Sequence, residues 1–197
     1  MEVSAMSEIF DPVDQLLAAC FPKIAAIDWT HFGGKLVPYD DSGVPKATGV
    51  LMHSTRKPIT GINTRAYGFL PRPEKSAQIV VTKVRLLQDN PNAISSMELR
   101  NPEINHWGGG IRSSNNSDEI YAITGLPEIG DHLLLAQLMR ACDLLTYRNW
   151  LFVADRESHH MVAAREFADM SIGRHMELNG HMFDIVQDGR AAIERAA

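Results

Sequence analysis

Asp131 and His132 stand side by side in "SNNSDEIYAITGLPEIGDHLLLAQLMRACDLL", residues 114–145, with Glu128 three residues before them. Two carboxylates and an imidazole at the start of one helix could do acid–base chemistry or help to hold a ligand. At 100° per residue, Asp131, Leu135, Leu138, Cys142 and Leu145 fall within a wedge of roughly 80°. Asp131 therefore faces the core stripe, while His132 points about 100° away from its middle. Two readings stay open. In one, Asp131 accepts the unpaired amides of the first turn and gains from the helix dipole. In the other, the helix start and the glycine-rich "NHWGGGIRSSNN" (105–116) wall a cavity with free backbone donors. His106, Trp107, Arg112, Asn115 and Asn116 would then give an anionic or planar ligand a ring surface, a cation and amide groups.

Other residues compete for chemistry. His53 leads "STRK", whose Arg56 and Lys57 form a small basic pair suited to a carboxylate. Eight histidines raise a metal question. Glu157 and His160 share a helical face, as in E-x-x-H, but di-iron bundles need two such pairs and further glutamates. His160 and His175 lie about 22 Å apart along any continuous helix, so they cannot share an ion there. No metal centre is therefore expected. No G-x-S-x-G elbow, dinucleotide fingerprint or phosphate loop occurs. Cys20 and Cys142 both sit in apolar helical patterns, which predicts reduced core thiols.

The elements that must position these groups are unevenly marked. Asp11 and Pro12 open a short helix carrying Val13, Leu16, Leu17 and Cys20. Ile24–Trp29 reads as a strand, turning at Gly33-Gly34 into Leu36–Tyr39. Residues 60–70 read as a short helix, and the β-branched 77–87 as a strand. Residues 119–124 form a strand before the helix 128–145. Beyond 147 a mainly helical tail follows, interrupted at Gly173 and Gly180. The division is thus an α/β domain over 1–146 and a helical extension over 147–197, packed on the domain or on a partner subunit.

Several stretches together resemble the GlcG/HbpS-like family of haem-binding and haem-degrading domains. "AIDWTHFGGKLVPY" (26–39) is similar to its first hairpin and "HSTRKPITGINTRAYGFL" (53–70) to its Arg-Lys region. "GGGI" (108–111) resembles its glycine approach, and "YAITGLPEIGDHLLLAQL" (121–138) its last strand and helix. The resemblance implies an α/β (α+β) fold, an antiparallel sheet flanked by helices in a GlcG-like or profilin-like three-layer arrangement. The C-terminal tail lies outside it. It also implies oligomer formation, binding of haem or another small molecule, and service as an accessory partner of catabolic enzymes.

A net charge of −5, with no basic stripe, excludes a general attraction to nucleic acid or anionic membrane. No apolar run is long enough for a membrane span, and the opening residues lack a signal-peptide pattern, so a cytoplasmic chain is expected. The leading reading is a small-ligand-binding accessory protein whose ligand (haem, a small organic acid or an aromatic compound) meets His53, Arg56, His106, Trp107, Arg112, Asn115, Glu128, Asp131 and His132. The alternatives are an enzyme of small organic or aromatic catabolites with a His–Asp/Glu pair, and a structural subunit whose tail clasps another chain.

Overall fold

The computed structural model describes residues 11–32, 49–55, 63–70, 72–164 and 170–197. Arg56 and the expected strand 36–39 lie outside them. Asp11 accepts the Val13 amide at 2.9 Å and Pro12 occupies the first turn of α1, Pro12–Ala25. The helix runs further than expected. Val13, Leu16, Leu17, Cys20 and Ile24 are all buried at helical spacing, and Pro22 lies on the exposed side. Ile24 is therefore the last core residue of α1 rather than the start of a strand, and Trp29 folds back to donate its indole N–H to the Ile24 carbonyl.

Four antiparallel strands follow the order β2-β1-β4-β3: β1 Val50–Ser54, β2 Asn63–Tyr67, β3 Gly110–Arg112 and β4 Ile120–Thr124. β1 pairs with both neighbours, His53 standing opposite Thr64 on one side and Ala122 on the other. Within the expected helix over 60–70, Asn63–Tyr67 form an edge strand. Its alternation explains this: Arg65 and Tyr67 reach Asp14 of α1, at 3.0 and 2.5 Å, while Thr64 turns to His53 on the opposite face.

The expected strand over 77–87 is the middle of α2, Pro73–Asp89. Its buried residues are Val80, Lys83, Val84 and Leu87, the i, i+3, i+4, i+7 stripe of a helix with a lysine inside it. Burial of that stripe on Leu51, Ile120 and Ala122 overrides the β-branched preference of the segment. On the other sheet face Val50, Met52, Tyr121 and Ile123 join α1 and α3, Glu128–Ala141, in the larger core. The result is an α+β fold of three layers, with helices on both sides of an antiparallel sheet.

After α3 the chain forms α4, Tyr147–Leu151, a π-helical turn over Phe152–Glu157, and α5, Ser158–Ala163. α6 then runs unbroken from Ile172 to Ala196. Gly173 lies in its first turn and Gly180 in its interior, so neither stops it. Burial of Leu178, Met182, Ile185 and Val186 against α1 and α3, and of His175 against α5, outweighs the roughly 1 kcal/mol that a helical glycine costs. The tail thus shares the main core in cis. Cys20 and Cys142 are free thiols, and burial pushes Cys20 up to about 12. No helix among the described residues is long and apolar enough to cross a membrane.

Candidate functional site

The glycine approach does meet the start of α3, but the chain's own side chains fill the junction. Gly108 donates its amide to Glu128 Oε1 at 2.6 Å, and Arg100 Nε donates to both Glu128 oxygens at 3.0 and 3.1 Å. Asp131 Oδ1 accepts the Leu126 amide at 3.1 Å, while its Oδ2 lies 3.3 Å from Lys83 Nζ. Gly109 has φ +91°, and a Cβ there would stand 2.9 Å from both Asp131 Cβ and Lys83 Nζ. The donors that a ligand would need are occupied by these carboxylates. Burial raises the Asp131 carboxyl to about 7, with the Lys83 charge and the Leu126 amide pulling it back down.

His132 lies entirely within the core. Its Nε2 is 3.1 Å from the Val153 carbonyl and 3.2 Å from Glu157 Oε2, so Nε2 carries the proton and Nδ1 is left without a partner. Glu157 in turn accepts from Ser95 Oγ at 2.9 and 2.8 Å. A second buried imidazole, His175, makes a 2.8 Å contact from Nε2 to Ser158 Oγ, and its Nδ1 is also unpartnered. Burial lowers His175 to about 4, helped by His159 and His132 nearby. His132 is thus paired with Glu157 and not with Asp131 or Glu128, and neither His132 nor Glu157 lines any of the three cavities described below.

The remaining expected site residues do not converge with this pair. His53 is buried on the α2 side of β1, with Nδ1 3.1 Å from Thr64 Oγ1, and burial lowers its pKa. His106 and Trp107 are half-buried beyond the short 3₁₀ turn Pro102–Ile104, where His106 makes a backbone bridge to Asn101. Arg112 directs its guanidinium to backbone carbonyls of Ala93, Ser117, Leu87 and Asn90. Asn115 donates to the Asp143 carbonyl at 2.6 Å, and Asn116 closes a local turn onto Asp118. Glu157 is buried while His160 is exposed, so the two are not a ligand pair. Among the described residues no three His, Cys, Asp or Glu side chains are placed to hold a metal.

The chemistry expected at the glycine approach is gathered at the other end of α3. A cavity of about 290 Å³ lies between the C-terminal part of α3, α4 and α6. Tyr147, Trp150 and Phe183 give it rings, Arg140 and Arg190 cations, and Gln137 and Gln187 amides. Tyr147 and Trp150 lie 5.6 Å apart with their planes at 32°. Trp150 Nε1 donates to Gln137 Oε1 at 3.2 Å, and Gln137 Nε2 donates to Asn179 Oδ1 at 2.8 Å, so the indole is held from behind. Each guanidinium is anchored at one edge, Arg140 by Leu145 and Asp143, Arg190 by Ala141 and Glu194. Five N–H donors per guanidinium leave both able to take an anion as well. Arg140, Tyr147 and Trp150 lie close together in "RACDLLTYRNW", a grouping absent from the expected site residues. Phe183, Gln187 and Arg190, at i, i+4 and i+7, complete the cavity from a helix remote in sequence.

Two further cavities, of about 460 and 420 Å³, open beside α1 and beside the π turn. The first holds His31 and His181, whose Nε2 atoms lie 3.0 and 3.8 Å from the two oxygens of Glu177. Comparison with protein-family models, curated proteins and solved structures finds no match to this chain.

Proposed function

We propose that this chain is a binding protein for a small planar organic anion, held in the cavity between α3, α4 and α6, and that it serves as a non-catalytic accessory protein. One observation carries the reading. Two guanidinium groups and three aromatic rings converge on a single cavity whose indole is fixed by a buried glutamine. Rings stack on a planar body, and guanidinium forks match a carboxylate. A volume of about 290 Å³ favours a ligand of one or two rings over a haem, since it falls at the lower edge of the roughly 300–1,000 Å³ typical of ligand pockets.

The accessory role also draws on α6. Ile172, Met176 and Phe183 are exposed and fall within about 40° on one side of the helix, an apolar stripe suited to a second copy or an enzyme subunit. The free thiols suit a cytoplasmic chain. The enzyme reading rests on the 3.2 Å His132–Glu157 contact. Burial of both groups makes it the second choice, because a general base must reach its substrate.

Benzoate and 2-naphthoate titrations followed by tryptophan fluorescence test the proposal. Saturable quenching is expected, abolished in Trp150→Phe and weakened about tenfold in Arg190→Gln, the loss of one charge-assisted contact. No saturable change with either acid, or the same change in Trp150→Phe, would exclude a planar-anion site at this cavity.

A further inference from the structure

The π turn after α4 changes which side chains share a face. In an unbroken α-helix, residues eight apart diverge by about 80° around the axis. The i→i+5 bonding of a π turn takes more residues per revolution, so residues four apart lie closer to one line. Across Phe152–Glu157 the consequence is visible, because Arg148, Phe152 and Arg156 all line the cavity of about 420 Å³, together with Asn149, Leu151 and Ile94. π turns are rare and often mark functional sites. Here the turn brings a second arginine to the same cavity as the first.

Among the described residues neither the Arg148 nor the Arg156 guanidinium has a carboxylate or hydrogen-bond partner. Arg65, Arg100 and Arg190, by contrast, are each tied to an acid. Two unneutralised cations lining one cavity repel one another, and an anion between them relieves that repulsion. Arg156 is also backed by the core: the next residue, Glu157, is locked by Ser95 and His132, which fixes the backbone of the turn. The apolar part of the wall, Ile94, Leu151 and Phe152, exceeds what an inorganic ion needs.

We infer that this cavity binds a small organic dianion, its doubly charged head between Arg148 and Arg156 and its apolar body against Phe152 and Ile94. A phosphate monoester and a dicarboxylate both carry that chemistry. The site shares no lining residue with the cavity at α6 and stands or falls separately from it.

The test is calorimetric titration of the full chain at low ionic strength with phenyl phosphate and, separately, with phthalate. Each is run in the wild type and in Arg190→Gln, which disarms the α6 cavity. Saturable one-to-one binding of at least one probe is expected in Arg190→Gln, and the probe that binds there tells phosphate from dicarboxylate chemistry. In that same background Arg148→Gln and Arg156→Gln should each weaken it about tenfold, as loss of a charge-assisted contact does. Both arginines are exposed, so the variants should melt with the wild type. Failure of both probes to saturate in Arg190→Gln, or unchanged affinity when Arg148→Gln and Arg156→Gln are each added to it, overturns the inference.

Discussion

Lys83 Nζ lies 3.3 Å from Asp131 Oδ2 and 2.6 Å from the Ile123 carbonyl, so α2 on one face of the sheet is tied to α3 on the other. Both side chains are buried, and Gly109 at the sheet's β3 edge leaves the space through which they meet. The pair answers why an aspartate belongs at the start of α3. Its carboxylate closes the Leu126 amide and holds a lysine that the α2 stripe places inside the molecule.

Removing one partner should cost far more than its share of the contact. Lys83→Met or Asp131→Leu alone leaves the other group uncompensated in the interior, at a cost of about 3–5 kcal/mol. The double variant should be less unstable than the two losses added, by about 1–3 kcal/mol. Urea denaturation of the four proteins measures this. Strict additivity would show that the two groups do not interact.

Gly109→Ala attacks the same junction from the backbone. The residue sits at φ +91°, and the added carbon would stand 2.9 Å from atoms of Asp131 and Lys83 and 3.2 Å from the Ile123 carbonyl. Left-handed strain and forced separation of the pair together should cost at least about 2 kcal/mol. A chemical-denaturation midpoint equal to that of the wild type would disprove this account of the glycine.

Two buried groups should give opposing pH dependences. His175 titrates near 4 when folded and near 6.5 otherwise, so the unfolded chain binds the extra proton between these values and stability rises with pH. His53, also lowered by burial, acts in the same sense. Asp131 titrates near 7 when folded against an ordinary 3.8. There the folded chain holds the extra proton, and stability falls as pH rises across much the same window. Each slope reaches at most about 1.4 kcal/mol per pH unit. Asp131→Asn should expose the rising slope between pH 4 and 6.5. His175→Gln, which can still bond Ser158, should expose the falling one. Urea titrations at half-unit steps decide, and slopes unchanged in both variants would contradict the assignment.

Capping and strong periodicity made parts of the fold readable from sequence: Asp11-Pro12 before α1, the strand 120–124, and the apolar helix behind Glu128. α2 does not read as a helix because its β-branched run favours a strand, and its helical stripe contains Lys83, whose burial makes sense only once Asp131 is beside it. β2 was misread because "NTRAY" becomes an edge strand through partners on β1 and α1 that no local pattern shows. The same limit applies to the sites. The ring surface, cation and amides expected at 105–116 come together instead in a cavity that joins α4 to residues 183–190. The π turn, which aligns Arg148 with Arg156, has no counterpart in helical periodicity.

Arg112 separates the expected site from the one proposed here. Its guanidinium spans the carbonyl at the end of α2, Leu87, and those of Asn90, Ala93 and Ser117, groups that no single ammonium can reach together. Arg112→Lys should therefore cost about 1–2 kcal/mol and Arg112→Met about 2–3, since carbonyls are left unpaired in both. Hydrogen exchange should show the loss as faster exchange of amides in the last turn of α2. Aromatic-acid affinity should stay at the wild-type value in Arg112→Lys if the ligand sits in the proposed cavity, which Arg140 and Arg190 line and Arg112 does not. If stability is unchanged and affinity falls instead, Arg112 is a ligand-binding cation and the glycine approach regains its place as the site.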